Sequence, residues 1–217
     1  MNIKENNSGA IGIGAMIVFI AMVLVAGIAA SVLIQTSNTL EMQALKSGSE
    51  TIAEVSTGIQ VEGIEGWNQS GAIKLMAIEV RPRAGSDDID LDETVVEISD
   101  SSTKNLFVYV NGNTTVSPFK DTGDTNGDIF ARGNYPHNNG TTFGVIVLED
   151  ADSSCAATTP IINAGDHVVL TVNVTAAFAD FTNRVDVFGM VIPEEGSPGI
   201  ISFTTPATFL YDVVDLQ

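Results

Sequence analysis

Hydrophobic and polar residues divide the chain into two parts with different periods. From Asn6 to Leu40 there is no Asp, Glu, Lys or Arg, and the run from Ala10 to Ile34 is almost wholly apolar. As a helix this run would be about 37 Å long, which exceeds the roughly 30 Å of hydrocarbon in a bilayer. The pattern therefore predicts a helix that can cross a membrane or pack among other apolar helices.

Small and large residues alternate along this predicted helix. A helix that is apolar all round must be surrounded by lipid or by other helices, and small residues let helix backbones approach closely. Gly12, Gly14, Ala26 and Gly27 are among the small residues. We expect the large side chains to form a packed core between copies of the helix: Ile11, Ile13, Ile17, Phe19, Ile20, Val23, Leu24, Ile28, Val32 and Leu33.

The helix is predicted to continue as a one-sided segment after the apolar run. Leu45, Ile52 and Ile59 recur every seven residues, and charged residues lie between them. This spacing is typical of an amphipathic helix, which we place to about residue 58. The glycines that follow are predicted to end it: Gly58, Gly63 and Gly66.

Beyond residue 66 the apolar residues recur with a period of two, and turn residues separate short runs. In the clearest run Val168 and Leu170 alternate with Val169 and Thr171, which predicts a strand with one buried face. Short strands without intervening helices indicate an antiparallel Ig-like sandwich or barrel, so the fold class is α+β. The predicted strands are 72–81, 93–98, 105–110, 143–149, 167–175, 184–192, 199–204 and 207–214.

The net charge and the cysteine content limit the kinds of partner and site that the chain can have. The chain has 217 residues and a formal charge of −18, with 27 Asp and Glu against 9 Lys and Arg. Such an acidic surface repels polyanions, so nucleic acid is excluded as an expected partner. The single cysteine, Cys155, rules out a disulfide within one chain and any site built from several thiolates.

The N-terminal residues resemble those of a known family. The stretch from Gly9 to Gly14, GAIGIG, followed by IVFIAMVLVAGIAASVLIQTS, is similar to the N-terminus of archaeal flagellins (archaellins). In that family a prepilin-type peptidase cuts after a glycine that precedes the hydrophobic helix, which places the cut here between Gly9 and Ala10. Type IV pilins usually have a glutamate at the fifth mature position, where this chain has Gly14.

The resemblance implies an organisation and a function. It implies a leader at 1–9, a polymerisation helix at 10–60 and an extracellular β-rich head at 61–217. The chain would be inserted in the membrane before assembly and would then polymerise with copies of itself, or with paralogous subunits, into the archaellum filament used for swimming and adhesion. The alternative is a type IV pilin-like or membrane-anchored surface adhesin.

An acidic segment of the head resembles a calcium-binding loop. Alternate oxygen side chains in a D-x-N-x-D pattern converge on a hard cation in EF-hand loops. Candidate ligands for Ca²⁺ or a similar divalent cation are Asp121, Asp124, Asn126 and Asp128, although no EF-hand glycine or terminal glutamate follows. A solvated acidic turn explains the same residues. No cofactor is required by the sequence.

A second acidic run and the N-x-[ST] motifs add weaker candidates. The run Asp87, Asp88, Asp90 and Asp92 is interpreted as a charged loop before a strand rather than as a cation site. Four motifs beyond the leader are candidate N-glycosylation sites in an exported protein. They are Asn68, Asn113, Asn139 and Asn173.

Nothing in the sequence indicates catalysis. The two histidines, His137 and His167, have no metal-ligand spacing, and no nucleophile elbow or phosphate-binding glycine loop occurs. A grouping of Cys155, Asp166 and His167 in space stays open at this point, but neighbours on a strand point to opposite faces. We therefore expect a structural protein and no enzyme.

Overall fold

A computed structural model of the chain describes residues 7–110, 119–121, 129–130 and 139–217. A long helix, α1, extends from Asn7 to Ser56 and confirms the predicted helix. No proline occurs before Pro82, so every residue of α1 keeps the backbone donor that a helix needs. The chain divides into two compact units at Glu50 and Thr51, and all strands belong to the second unit.

Thirteen strands and one short helix follow α1 within the described residues. Most are short, and turns or bends connect them. The strands are β1 Ile59–Gln69, β2 Ala72–Pro82, β3 Ile89–Asp90, β4 Val95–Ser99, β5 Lys104–Tyr109, β6 Phe119–Asp121, β7 Thr142–Glu149, β8 Cys155–Ala156, β9 Thr159–Ile162, β10 His167–Asn173, β11 Asp186–Ile192, β12 Gly199–Thr204 and β13 Val213–Asp215, and the short helix, α2, is Val174–Ala177.

A large mostly antiparallel sheet holds ten of these strands. Its order is β12-β11-β4-β5-β7-β10-β2-β1-β13, and β6 pairs with β7 beside this path. The exceptions to antiparallel pairing are the short parallel pairs β5 with β7 and β6 with β7. The remaining strands form a small sheet in the order β3-β9-β8. The α+β prediction with a β-rich head is confirmed.

Strand β1 is the main element that sequence reasoning missed. The sequence predicts that Gly63 and Gly66 end the helix, yet both lie inside this 11-residue strand. A β-bulge interrupts the register between Val61 and Gly63. At Gly66 a Cβ would lie 2.9 Å from side-chain atoms of both Ile73 and Leu216, so the glycine permits close packing there. Glycine within a strand often marks such a bulge or close approach.

Strand β10 also differs from its prediction. The expectation of one buried face is wrong, because Val169 and Thr171 are as fully buried as Val168 and Leu170. Val169 packs in a second, smaller cluster that also contains Ala77, Phe130 and Ile146. The strand lies between β7 and β2 and is covered on both faces, which the alternation of side chains alone does not reveal. The predicted segment 207–214 is likewise mostly irregular, with β13 limited to Val213–Asp215.

The chain leaves α1 through a tight contact with the loop before β12. Ser197 N–H donates to Thr57 O at 2.9 Å, and Ile59 N–H donates to Ser197 O at 3.1 Å. Gly196, at φ +96°, lies directly against Thr57, where a Cβ would come within 2.1 Å of the Thr57 oxygen. Only glycine fits both the positive φ and the close approach, so this loop fixes the start of β1.

Candidate functional site

Apolar side chains lie on all sides of helix α1 between Ala10 and Ile34. The ten side chains predicted to form a packed core are 52% to 72% exposed in the single subunit, with Val32 and Ile11 at the two limits. Each large side chain of this kind gains about 1.5–3 kcal/mol when it leaves water. An isolated α1 in water is therefore unfavourable, and the helix must be covered by lipid or by other protein.

Two threonine hydroxyls that follow the apolar run of α1 are hydrogen-bonded within the helix. The Thr36 hydroxyl donates to Val32 O at 2.9 Å, and the Thr39 hydroxyl donates to Gln35 O at 2.9 Å. These bonds satisfy the hydroxyls within the helix, which lowers the cost of removing them from water. The segment Gly9–Ser56 is long and apolar enough to cross a membrane, by length and composition.

The glycines of α1 provide places where another helix can approach. A Cβ added at Gly12, Gly14 or Gly27 would have nothing within 4 Å except its own helix. Close approach of helix backbones at small residues is the usual basis of packing between apolar helices. Gly9 and Ala10, the predicted cleavage junction, are exposed and lie within the first turns of α1. Cleavage at this junction stays a prediction.

The predicted calcium ligands are mostly outside the described residues. Asp121 is the last residue of β6, while Asp124, Asn126 and Asp128 fall in 122–128, which the structure does not describe. The calcium-loop interpretation of this segment therefore stays a prediction.

A different acidic cluster is brought together by the fold. Asp150, Asp152 and Asp166 each place a carboxylate oxygen within 4.8 Å of the other two. Asp166 is 1% exposed, and its carboxylate accepts from Asn163 N–H at 2.9 Å and Ala151 N–H at 3.2 Å. A cluster of this kind could bind an ion.

The pKa of one of these carboxyls is perturbed. Asn163 Nδ2 donates to Asp152 Oδ2 at 2.8 Å, and this bond, together with a weaker one from Ser154, lowers the Asp152 pKa below its usual value. Hydrogen bonds to a carboxylate favour its charged form. Sequence reasoning did not identify this cluster. The signal available was the D-x-D spacing of Asp150 and Asp152, but Asp166 joins them only through the turn between β9 and β10.

The acidic run before β4 surrounds the short strand β3, which contains Asp90. Asp87 and Asp88 are exposed and, with Asp90, line a cavity of about 60 Å³ together with Glu194 and Glu195. Among the described residues these acids do not form a group of three donors within 4.8 Å, unlike the Asp150 cluster. The interpretation of this run as a charged loop stays a prediction.

The residues considered for catalysis do not form a triad. His167 Nε2 lies 3.8 Å from Glu62 Oε2 and 4.0 Å from Glu79 Oε2, and it makes no hydrogen bond. Asp166 is hydrogen-bonded to the backbone of the 150–163 region instead. Burial, with Asp150 and Asp166 nearby, raises the pKa of the Cys155 thiol to about 12, which makes it a poor nucleophile at neutral pH.

The described glycosylation motifs have different environments. Asn139 is exposed, and the Thr141 hydroxyl of its motif donates to Asn139 Oδ1 at 3.0 Å. Asn68 is half-buried, and its Nδ2 donates to Tyr211 O at 3.1 Å. Asn173 caps α2 by accepting from Ala176 N–H at 3.1 Å. Asn113 lies outside the described residues. Asn139 therefore offers the most accessible side chain of the three that are described.

Comparison with known proteins agrees with the sequence resemblance. The family model for archaeal-type flagellin matches residues 9–203. Flagellin B2 of Methanocaldococcus jannaschii is 43% identical over 215 residues, which cover 98% of this chain and 97% of that protein. Flagellin B1 of Methanococcus voltae is 40% identical over 229 residues, which cover the whole of both chains.

Solved structures agree in fold. The crystal structure of the archaeal flagellin FlaB1 from Methanocaldococcus jannaschii has a TM-score of 0.62 at 29% identity and covers 74% of this chain and 97% of that one. The archaeal flagellum of Methanospirillum hungatei strain JF1 has a TM-score of 0.64 at 14% identity, with 94% and 98% covered, and supports the fold alone. The chain therefore belongs to the archaeal-type flagellin family, the structural, non-enzymatic subunits of the extracellular archaellum filament for motility.

Proposed function

We propose that this subunit assembles through α1, which lies in the membrane as a precursor and then packs with the α1 helices of other copies in the filament core. The observation that carries this proposal is the exposure of the large apolar side chains in the uncharged part of α1, between Ala10 and Ile34. Lipid and a bundle of apolar helices both satisfy such a helix. Copies of the same chain and paralogous flagellins are the expected partners.

A charge within the predicted core tests this assembly. Val23 lies in the middle of the apolar run, and Val23→Lys would place an ammonium group there at a cost of about 2.5–3.5 kcal/mol per subunit. We expect cells that produce this variant as their only flagellin to lose filaments in electron micrographs. Asp88→Lys, at an exposed head residue, is the control for an added lysine, and Val23→Leu controls for repacking. Normal filaments from Val23→Lys would refute the packed apolar core.

Processing by a prepilin-type peptidase is the second part of the proposal. The match of the family model begins at residue 9, and the Gly9–Ala10 junction precedes the apolar run. N-terminal sequencing of sheared filaments should give Ala10 as the first residue. A mature protein that begins at Met1, or after the apolar run, would contradict this assignment.

We also propose that the head binds a hard divalent cation such as Ca²⁺. Carboxylate oxygens are the donors in both acidic candidates, the Asp150 cluster and the predicted loop at Asp121–Asp128, and hard cations prefer oxygen ligands. Calcium titration by calorimetry on the detergent-solubilised full chain tests the idea. Asp152→Asn should weaken binding at the first site and Asp124→Asn at the second, while Asp88→Asn serves as the control. Absence of heat in the unaltered chain would remove the proposal.

N-linked glycans are proposed at exposed motifs. Asn139 is the preferred described candidate because its side chain is accessible, whereas attachment at Asn68 would break the bond to Tyr211 O. Asn113 is retained from the sequence alone. Intact mass and peptide mapping of native filaments should locate added sugar at Asn139, and Asn139→Gln should remove it. A subunit whose mass equals that of the unmodified mature chain would contradict this proposal.

A further inference from the structure

Exposed large hydrophobic side chains in the head are concentrated in two places. Outside α1, nine such side chains are exposed among the described residues. Three belong to the segment before the C-terminus, which we call the C-terminal segment: Leu210, Tyr211 and Val213. The other six, which we call the β5–β12 face, belong to β5, β11 and β12, with Val110 directly after β5: Leu106, Val108, Val110, Phe188, Met190 and Ile200.

The strand register makes the β5–β12 face a continuous surface. Met190 lies opposite Ile200 on one side and Glu97 on the other, and Glu97 lies opposite Leu106. Phe188 occupies the next row on the same side of β11, because alternate residues of a strand face the same way. The six side chains are 36% to 69% exposed, and Glu97 lies between Met190 and Leu106. Exposed apolar side chains grouped on one face of a monomer are often functional.

The charge pattern favours another copy of this chain as the occupant. The chain carries −18, so most surfaces of two heads repel each other. On the β5–β12 face Glu97 and Lys104 neutralise each other at 2.6 Å, and the Lys104 side chain remains 57% exposed. The C-terminal segment carries the exposed Asp212 between its apolar side chains. Since this ion pair adds no net charge to the β5–β12 face, the face opposes an acidic second copy less than the carboxylate-rich surfaces do.

Hydrogen bonds to Asn68 hold the C-terminal segment beside β1. Asn68 N–H donates to Asp212 O at 2.7 Å, and Asn68 Nδ2 donates to Tyr211 O at 3.1 Å. The end of the chain then reaches β12, where Ser202 N–H donates to Gln217 Oε1 at 2.7 Å and Gln217 Nε2 donates to Ile200 O at 3.3 Å. The apolar side chains of the C-terminal segment and of the β5–β12 face nevertheless stay exposed in one subunit.

We propose that the C-terminal segment of one subunit packs on the β5–β12 face of a second copy in the filament wall. This inference rests on the proposed assembly and adds a contact between heads to it. An open helical polymer requires a heterologous interface, in which two different surfaces of the subunit meet. The head supplies two such surfaces, and apolar packing between them overcomes the repulsion between acidic heads.

Cross-linking in assembled filaments tests the contact. Full-length chains with Cys155→Ala, which removes the native thiol, would carry Leu106→Cys together with Tyr211→Cys, or either change alone. Filaments sheared from cells would be treated with a short bismaleimide and separated in denaturing gels. We expect a ladder of linked multimers from the double variant and monomers from each single variant. Val108→Cys with Leu210→Cys provides a second pair in case the first pair prevents assembly.

The outcomes separate this contact from the proposed assembly. Filaments that form normally but give only monomers with both cysteine pairs would overturn the head contact and leave the helix core intact. Dimers from Leu106→Cys alone would show that two β5–β12 faces meet each other, which also overturns it. If the unaltered chain forms no filaments, the proposed assembly itself fails, and this inference fails with it.

Discussion

Replacement of Gly196 by alanine should weaken the attachment between the end of α1 and the head. The added Cβ would meet Thr57 O at 2.1 Å and Thr57 C at 2.4 Å, and both are backbone atoms. The loop must therefore move, which breaks the bonds that join Ser197 to Thr57 and Ile59. Two lost hydrogen bonds at about 0.5–1.5 kcal/mol each, with about 1–2 kcal/mol for alanine at positive φ, total roughly 2–5 kcal/mol.

Gly85→Ala provides a matched control for this substitution. Gly85 has φ +85°, close to the +96° of Gly196, but a Cβ there would have nothing within 4 Å. Alanine at this residue should therefore cost only the backbone penalty of about 1–2 kcal/mol. The difference between the two variants isolates the contribution of the contact with Thr57.

Chemical unfolding of the full chain in mild detergent measures both costs. The only tryptophan, Trp67, lies in β1 and is half-buried, so its fluorescence should follow unfolding of the head. Linear extrapolation of the urea transitions gives the free energy of unfolding. Equal losses for Gly196→Ala and Gly85→Ala would refute the close contact at the end of α1.

Three further substitutions test carboxyl groups of the head. Burial raises the pKa of Glu65, and the negative charges of Glu79 and Asp215 raise it further. The Glu65 carboxylate therefore destabilises the fold at neutral pH. Glu65→Gln should raise the free energy of unfolding by about 0.2–1 kcal/mol at pH 7. The gain should vanish as the pH falls through the raised pKa, and a pH-independent gain in thermal melts would contradict it. Asp166→Ala should cost about 2–4 kcal/mol by leaving buried donors unpaired, whereas Asp152→Ala, at the exposed rim, should cost under about 1 kcal/mol in urea unfolding.

The sequence determined the helix and most strands because their signals are local. An uncharged apolar run without proline can form a helix in either environment open to it, lipid or other helices. Alternation at Val168–Val172 located β10 from neighbouring residues alone. Strand β1 was hidden because the packing that explains Gly66 includes Leu216, which lies 150 residues further along the chain.

Family and function were likewise accessible from the N-terminal residues, since the assembly helix is a continuous segment. Only the tertiary structure decided which distant residues meet. Asp166 joins Asp150 and Asp152 through a turn, and β12, β11, β4 and β5 align six apolar side chains from separate strands into one exposed face. The sequence shows whether apolar and polar residues alternate along a strand. The pairing of strands decides which neighbours a side chain has and whether another part of the protein covers it.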